Sequence, residues 1–170
     1  DRSLFKMQRQ CRRIHRSVTD AERCKNAADV SVFKLHGHLG IYSTIGAKMG
    51  LYARELLPCH HLHITSYAGS CPPMSCMNDG LQVSTSSTLG HGLIHAIDDN
   101  PRPEARFQAD GHTITLRLKP SCAERIASDI AQGKAKWGTE SPRYWEYVRA
   151  LALQYWLEMD RRQIFDVVSD

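Results

Sequence analysis

A chain of 170 residues is long enough for one ordinary domain. With 42% hydrophobic and 24% charged residues it has the make-up of a globular protein, which excludes a disordered tract. No apolar run reaches the length of a membrane span, so a membrane partner is not expected.

The net charge of +4 is unevenly spread: residues 1–25 hold eight Lys or Arg against three acidic residues, a balance of +5, and the remainder sums to −1. Such an arm could meet nucleic acid or anionic lipid. The spacing of Leu4, Met7, Cys11 and Ile14 instead favours the solvated face of a helix over residues 4–25, with a break near Ser17–Thr19. No aromatic residues interleave with the charges, so no nucleic-acid partner is expected. The start carries no secretory core, which favours a cytoplasmic protein; an exported, processed form stays open because the first residue is Asp1.

A second helix is expected over residues 39–57, with Leu39, Ile45, Met49, Ala53 and Leu56 as its apolar stripe and Pro58 as its stop. Gly46 and Gly50 weaken that helix, so they should mark a close backbone contact. His61–Tyr67 reads as a short strand, Gly69–Pro73 as irregular, residues 76–87 as a short helix and Leu93–Ile97 as a strand. Ala105–Ala109 and Thr113–Leu118, joined by Asp110-Gly111, read as a hairpin.

Ser121 and Glu124 look like a capping box opening a helix that stops at Gly133. Ser141-Pro142 opens another, with Trp145, Val148, Leu151, Ala152, Tyr155, Trp156 and Met159 on a core-facing side. Residues 1–170 thus make one α+β domain: a basic N-terminal helix over 1–25, a core over 26–135, and a C-terminal helix and tail over 136–170.

The residues that carry chemistry cluster in three segments. In His36-Gly37-His38 two imidazoles, the commonest neutral ligands for transition metals, can converge on one ion. In the segment Cys76 to Gln82, Cys76 and Asp79 share a helical face with Gln82 close by. A thiol at a helix N-terminus is expected to have a lowered pKa. Asp79 could be a ligand, an anchor for a histidine N–H, or a general base. The segment Thr85 to Gly92, rich in hydroxyls and glycine, could line a pocket with Thr88 and His91 at its edge. His60-His61-x-His63 is a weaker metal candidate and reads as a surface patch. Six cysteines form no CxxC pair, and bridges Cys71–Cys76 or Cys11–Cys24 are open possibilities.

Taken together, Phe33 to Gly40 with Gly46 to Gly50, Cys76 to Val83, and Thr85 to Gly92 resemble the E-subunit family of formylmethanofuran dehydrogenase, as does Ala105-Arg106-Phe107 opening a hairpin. The resemblance implies a thioredoxin-like core, a small mixed sheet flanked by helices, and a homodimer. It also implies a transition-metal site, zinc first among the ions, at His36, His38 and Cys76. Cys76 and Asp79 would be the catalytic pair, with Gln82, Thr88 and His91 contacting a small polar substrate. The chain departs from the family in having Ser86-Ser87 where a Gly-Cys pair is usual, His91 where Lys is frequent, and no C-terminal cysteine-rich finger. Three functions follow: Lewis-acid catalysis at an open metal position, a metal-handling module or chaperone, or a non-catalytic component using Cys76 as a redox thiol.

Overall fold

The computed structural model describes residue 32 and residues 34–57 and 61–169. The expected N-terminal helix, Cys11, Cys24, Cys59 and His60 lie outside the described residues.

Helix α1 (Ile41–Leu56) follows Gly40, whose extended backbone makes it the N-cap. Ile41, Ile45, Met49 and Ala53 are buried at the spacing of one helical face. Leu56 is not part of that face. It is exposed, and Leu57, just past the last turn, is buried instead. The two glycines are contact residues, as their cost to the helix suggests: a Cβ on Gly46 would stand 2.1 Å from the carbonyl oxygen of Met77, and one on Gly50 2.0 Å from Ser84 Oγ.

The partner of that contact is α2 (Met77–Thr85), preceded by a 3-10 turn over Met74–Cys76. It brings a glycine of its own, Gly80, whose added Cβ would meet the Ser43 carbonyl oxygen at 2.1 Å. The two helices therefore touch backbone to backbone. Arg54, in the last turn of α1, donates to the Thr85 carbonyl at 2.5 Å and ties down the end of α2.

Five strands form one mixed sheet: β1 (His63–Ser66), β2 (Ile94–Ala96), β3 (Glu104–Ala109), β4 (His112–Leu118) and β5 (Phe165–Ser169). Their order is β2-β1-β3-β4-β5, with β1 and β2 parallel and the other pairs antiparallel. Ile64 pairs with both Ile94 and Phe107, and Phe107 pairs with Ile114, so one face of the sheet is a continuous apolar layer. The β3–β4 turn uses Asp110 and Gly111 with φ of 49° and 78°, the left-handed pair that an Asp-Gly hairpin requires. At the start of β3 the buried carboxylate of Glu104 is held by Arg102 at 2.9 Å and by Arg117 of β4.

Two longer helices, α3 (Pro120–Trp137) and α4 (Pro142–Glu158), complete the fold and pack on each other. The Ser121–Glu124 capping box does not form. Pro120 starts the helix with Lys119 as N-cap, so Ser121 already lies in the first turn, where its hydroxyl is not placed to cap. Gly133 does not end α3 either. It sits inside the helix beneath Tyr147, whose ring carbon would lie 2.5 Å from an added Cβ, and the helix stops at Gly138, with φ of 70°.

Helix α4 begins as the sequence reads, with Ser141 accepting from the Arg143 N–H and Pro142 in the first turn. Its buried side is Tyr144, Leu151, Ala152, Tyr155 and Trp156. Trp145 is 47% exposed, because one residue beyond Tyr144 turns about 100° around the axis and off that side. Strand β5 lies in the stretch expected as tail; it pairs with β4 from Leu118↔Phe165 to Ile114↔Ser169. Cys71, Cys76 and Cys122 are free thiols, so the Cys71–Cys76 bridge is absent.

Lys48 of α1 is buried and donates from Nζ to the carbonyls of Trp156 at 2.7 Å and Met159 at 2.6 Å. Its ammonium also lies 4.8 Å from the Trp156 ring centre. These bonds satisfy carbonyls at the C-terminal end of α4 that have no partner within the helix. No helix among the described residues is long and apolar enough to cross a membrane.

Candidate metal centre

The backbone contact between α1 and α2 decides what meets at their N-terminal ends. His36 and His38 precede Gly40, the N-cap of α1, while Cys76 and Asp79 flank the start of α2. Across a gap of 43 residues, His36 Nδ1 lies 2.6 Å from Asp79 Oδ2. The His36 side chain is only 10% exposed and that of Asp79 is 35% exposed. The other ring nitrogen of His36, Nε2, is buried and has no hydrogen-bond partner.

His38 stands beside it, with ring centres 4.5 Å apart and planes inclined at 41°. Gly40 makes room for both rings. The Nε2 atoms of His36 and His38 are each 3.5 Å from the point where a Gly40 Cβ would sit, and Ser43 Oγ is 3.2 Å from it. The two nitrogens therefore border one small volume at the head of α1. Ser43 itself is fully buried, and its hydroxyl oxygen accepts from the Gly40 N–H at 3.1 Å, fixing the turn that presents the rings.

Electrostatics favour the neutral form of two groups in this corner, His38 and Cys76. Burial lowers the pKa of His38, and the charges of His36 and Arg149 lower it further. Cys76 does not have the lowered pKa expected at a helix N-terminus. Burial pushes its thiol up, the neighbouring Asp79 carboxylate adds to the rise, and the backbone hydrogen bond only partly opposes them. Cys76 also follows a 3-10 turn, and the Met77 N–H beyond it already bonds back to the carbonyls of Met74 and Ser75, so the free N–H groups that would stabilise a thiolate there are fewer.

The remaining sequence candidates fall into a second group. Gln82 Oε1 accepts from the Leu89 N–H at 3.0 Å, and Thr88 Oγ1 accepts from the His91 N–H at 3.3 Å. Gln82 and Thr88 thus shape the loop after α2, with the exposed His91 at its rim. His61, His63 and His95 are exposed on or beside β1 and β2. Among the described residues no three or more His, Cys, Asp or Glu side chains are grouped so that they could hold a metal ion, and the structure does not bring Cys76 together with the two histidines as such a group. What the structure assembles is a histidine pair with one carboxylate partner, and a thiol one turn before that carboxylate.

Three contributors carry no mark of their role in the sequence. Gly40 matters for the side chain it lacks, Ser43 for the turn, and Arg149 for its charge. Gly40 and Ser43 flank the histidine motif and are visible once the helix start is placed. Arg149 is 111 residues from His38 and leaves no local signal.

Fold and site together define a class: an α+β protein that holds two imidazoles at one helix N-terminus and a carboxylate from a second, backbone-contacting helix. Residues 35–166 match the FmdE family, described by the molybdenum formylmethanofuran dehydrogenase operon, and the chain belongs to that family. The matched span includes both histidines, α1, α2 and every strand except the last residues of β5. No curated protein matches the chain.

Proposed function

We propose that this chain binds a transition metal ion, zinc first, through His36, His38 and Cys76, in a role related to formylmethanofuran dehydrogenase. A fourth position is left for a small polar substrate. One observation carries the reading: Asp79 holds His36 Nδ1 at 2.6 Å while the buried Nε2 has no partner. Metal-ligating histidines characteristically engage a carboxylate with their second nitrogen, which fixes the tautomer and turns the free lone pair toward the ion. A buried ring nitrogen with no partner is otherwise costly.

The rest of the corner suits such an ion. His38, kept neutral, offers a lone pair beside the same volume. Cys76 lacks the surroundings of a redox thiol, since burial and Asp79 oppose its thiolate; coordination would supply the stabilisation the fold withholds. When bound, the ion supplies Lewis-acid polarisation of a substrate oxygen. This chain's own residues then orient and exclude: Asp79 holds the His36 tautomer, Ser43 braces the Gly40 turn, and Gln82 and Thr88 set the loop that borders the opening.

Elemental analysis of native protein against His36→Ala and Cys76→Ala tests this. We expect about one zinc per chain in the native protein and a sharp loss in both variants. Equal metal content in all three removes the site.

A further inference from the structure

The backbone does not call for glycine at position 40. Gly40 has φ of −108° and ψ of 159°, extended values open to any residue. Serine, threonine and aspartate are the side chains that a helix N-cap normally takes. Such a side chain would put an oxygen on the N–H of Tyr42 or Ser43, two of the first-turn groups that have no acceptor inside the helix. Half of that arrangement exists: Ser43 Oγ accepts from the Gly40 N–H at 3.1 Å. The returning half needs a side-chain oxygen on residue 40, and glycine has none. No acidic side chain stands in the first turn to replace it.

The side chain that Gly40 lacks would start out between the imidazoles. Its Cβ would stand 3.5 Å from His36 Nε2, 3.5 Å from His38 Nε2 and 3.2 Å from Ser43 Oγ. The space withheld from the chain is thus the space that both ring nitrogens border. His36 Nε2 is buried there without a partner, on a side chain only 10% exposed. The uncapped head of a 16-residue helix and a buried, unanswered ring nitrogen are independent features, and they meet beside Gly40.

We propose that the head of α1 is a carboxylate subsite, in which an oxygen of the bound molecule takes the place of the missing N-cap side chain, and that Gly40 keeps that place open. This rests on the metal reading above and names the substrate class for it. One carboxylate oxygen accepts from the N–H groups of Tyr42 and Ser43, as an aspartate N-cap would, and the other faces the ion held by the imidazoles. A neutral amide of the same shape offers one acceptor oxygen where the carboxylate offers two, and it lacks the charge that a helix N-terminus favours.

The test is an NMR titration of isotope-labelled protein with sodium acetate and with acetamide as its neutral match, at constant ionic strength. It is run on protein of measured zinc content and again on zinc-free protein. We expect saturable shifts of the Tyr42 and Ser43 amide signals with acetate and none with acetamide. Gly40→Ser supplies the missing cap from within, and Gly40→Ala fills the same space without capping; each should weaken acetate binding by at least about tenfold. On heating, Gly40→Ser should unfold no earlier than the native protein, since serine is a better N-cap than glycine, so its loss of acetate is not a loss of fold. Zinc content should be the same in the native protein and both variants. Equal acetate affinity in native protein and Gly40→Ser, or equal binding of acetamide and acetate, overturns the assignment while leaving the metal reading intact. Loss of zinc together with acetate in both variants gives that space to the ion and overturns the assignment as well. Absence of zinc from every sample overturns the metal reading, and the zinc-free titration then decides the carboxylate assignment by the same comparison.

Discussion

Two of the carboxylates paired with basic side chains, Glu104 and Asp79, are built to opposite plans. Glu104 is buried at the start of β3, and two arginines close on it, so both oxygens are matched. Asp79 is one-third exposed and holds a histidine whose second nitrogen is left buried without a partner. At Glu104 the polar groups answer one another, which is how a fold stabilises a buried charge. At Asp79 the fold stops one bond short. That mismatch, at the meeting of two helix N-termini, is the observation on which the proposed metal site rests.

That contrast can be broken in three places. The largest effect should come from Gly80→Ala, because the new Cβ would meet the Ser43 carbonyl at 2.1 Å and force α2 away from α1. We expect a loss of about 1–3 kcal/mol or more, read by denaturant unfolding. Metal content should fall with it, since the separation of the helices sets the Asp79–His36 distance.

Glu104→Gln should cost about 1–2 kcal/mol, because one charged acceptor is lost in a buried cluster, and it should leave metal content unchanged. Burial pushes the Glu104 carboxyl up, but the hydrogen bonds and charges of Arg102 and Arg117 outweigh it and hold the pKa below the usual value. The unfolded chain therefore binds the proton more readily than the folded one. This contribution to stability is complete above the unfolded pKa, about 4.3, and is lost as pH falls through the lower folded value. Thermal unfolding followed from about pH 6 to about pH 3 should show a shallower decline in Glu104→Gln than in the native chain.

Asp79→Asn should change stability least, by no more than about 0.5 kcal/mol, since this carboxylate is partly exposed. Metal affinity should nevertheless fall about 10- to 100-fold, measured by competition with a chromophoric chelator. A variant that loses stability but keeps its metal would show that Asp79 works as Glu104 does.

The parts of this fold that sequence discloses are those fixed by local chemistry. The Asp110-Gly111 turn, the Ser141-Pro142 helix start and the Gly46/Gly50 contact face each follow from residues a few positions apart. What it hides is decided by partners. Gly80 carries no mark within the expected helix over 76–87 until α1 is laid against it, and Gly133 looks like a helix stop until Tyr147 is placed above it. Strand β5 carries too short an apolar pattern to stand out, and β4 recruits it. At the candidate site the same division holds. The resemblance singles out His36, His38, Cys76 and Asp79, but the 43-residue reach from His36 to Asp79 and the thiol's raised pKa depend on how two helices pack.

Lys48 has a consequence for the whole arrangement. Its ammonium, rooted in α1, grips the last carbonyls of α4. The grip works as a latch: α4 cannot slide along α1 without parting those bonds. Two helices about a hundred residues apart in the chain are thus held in register by one buried cation.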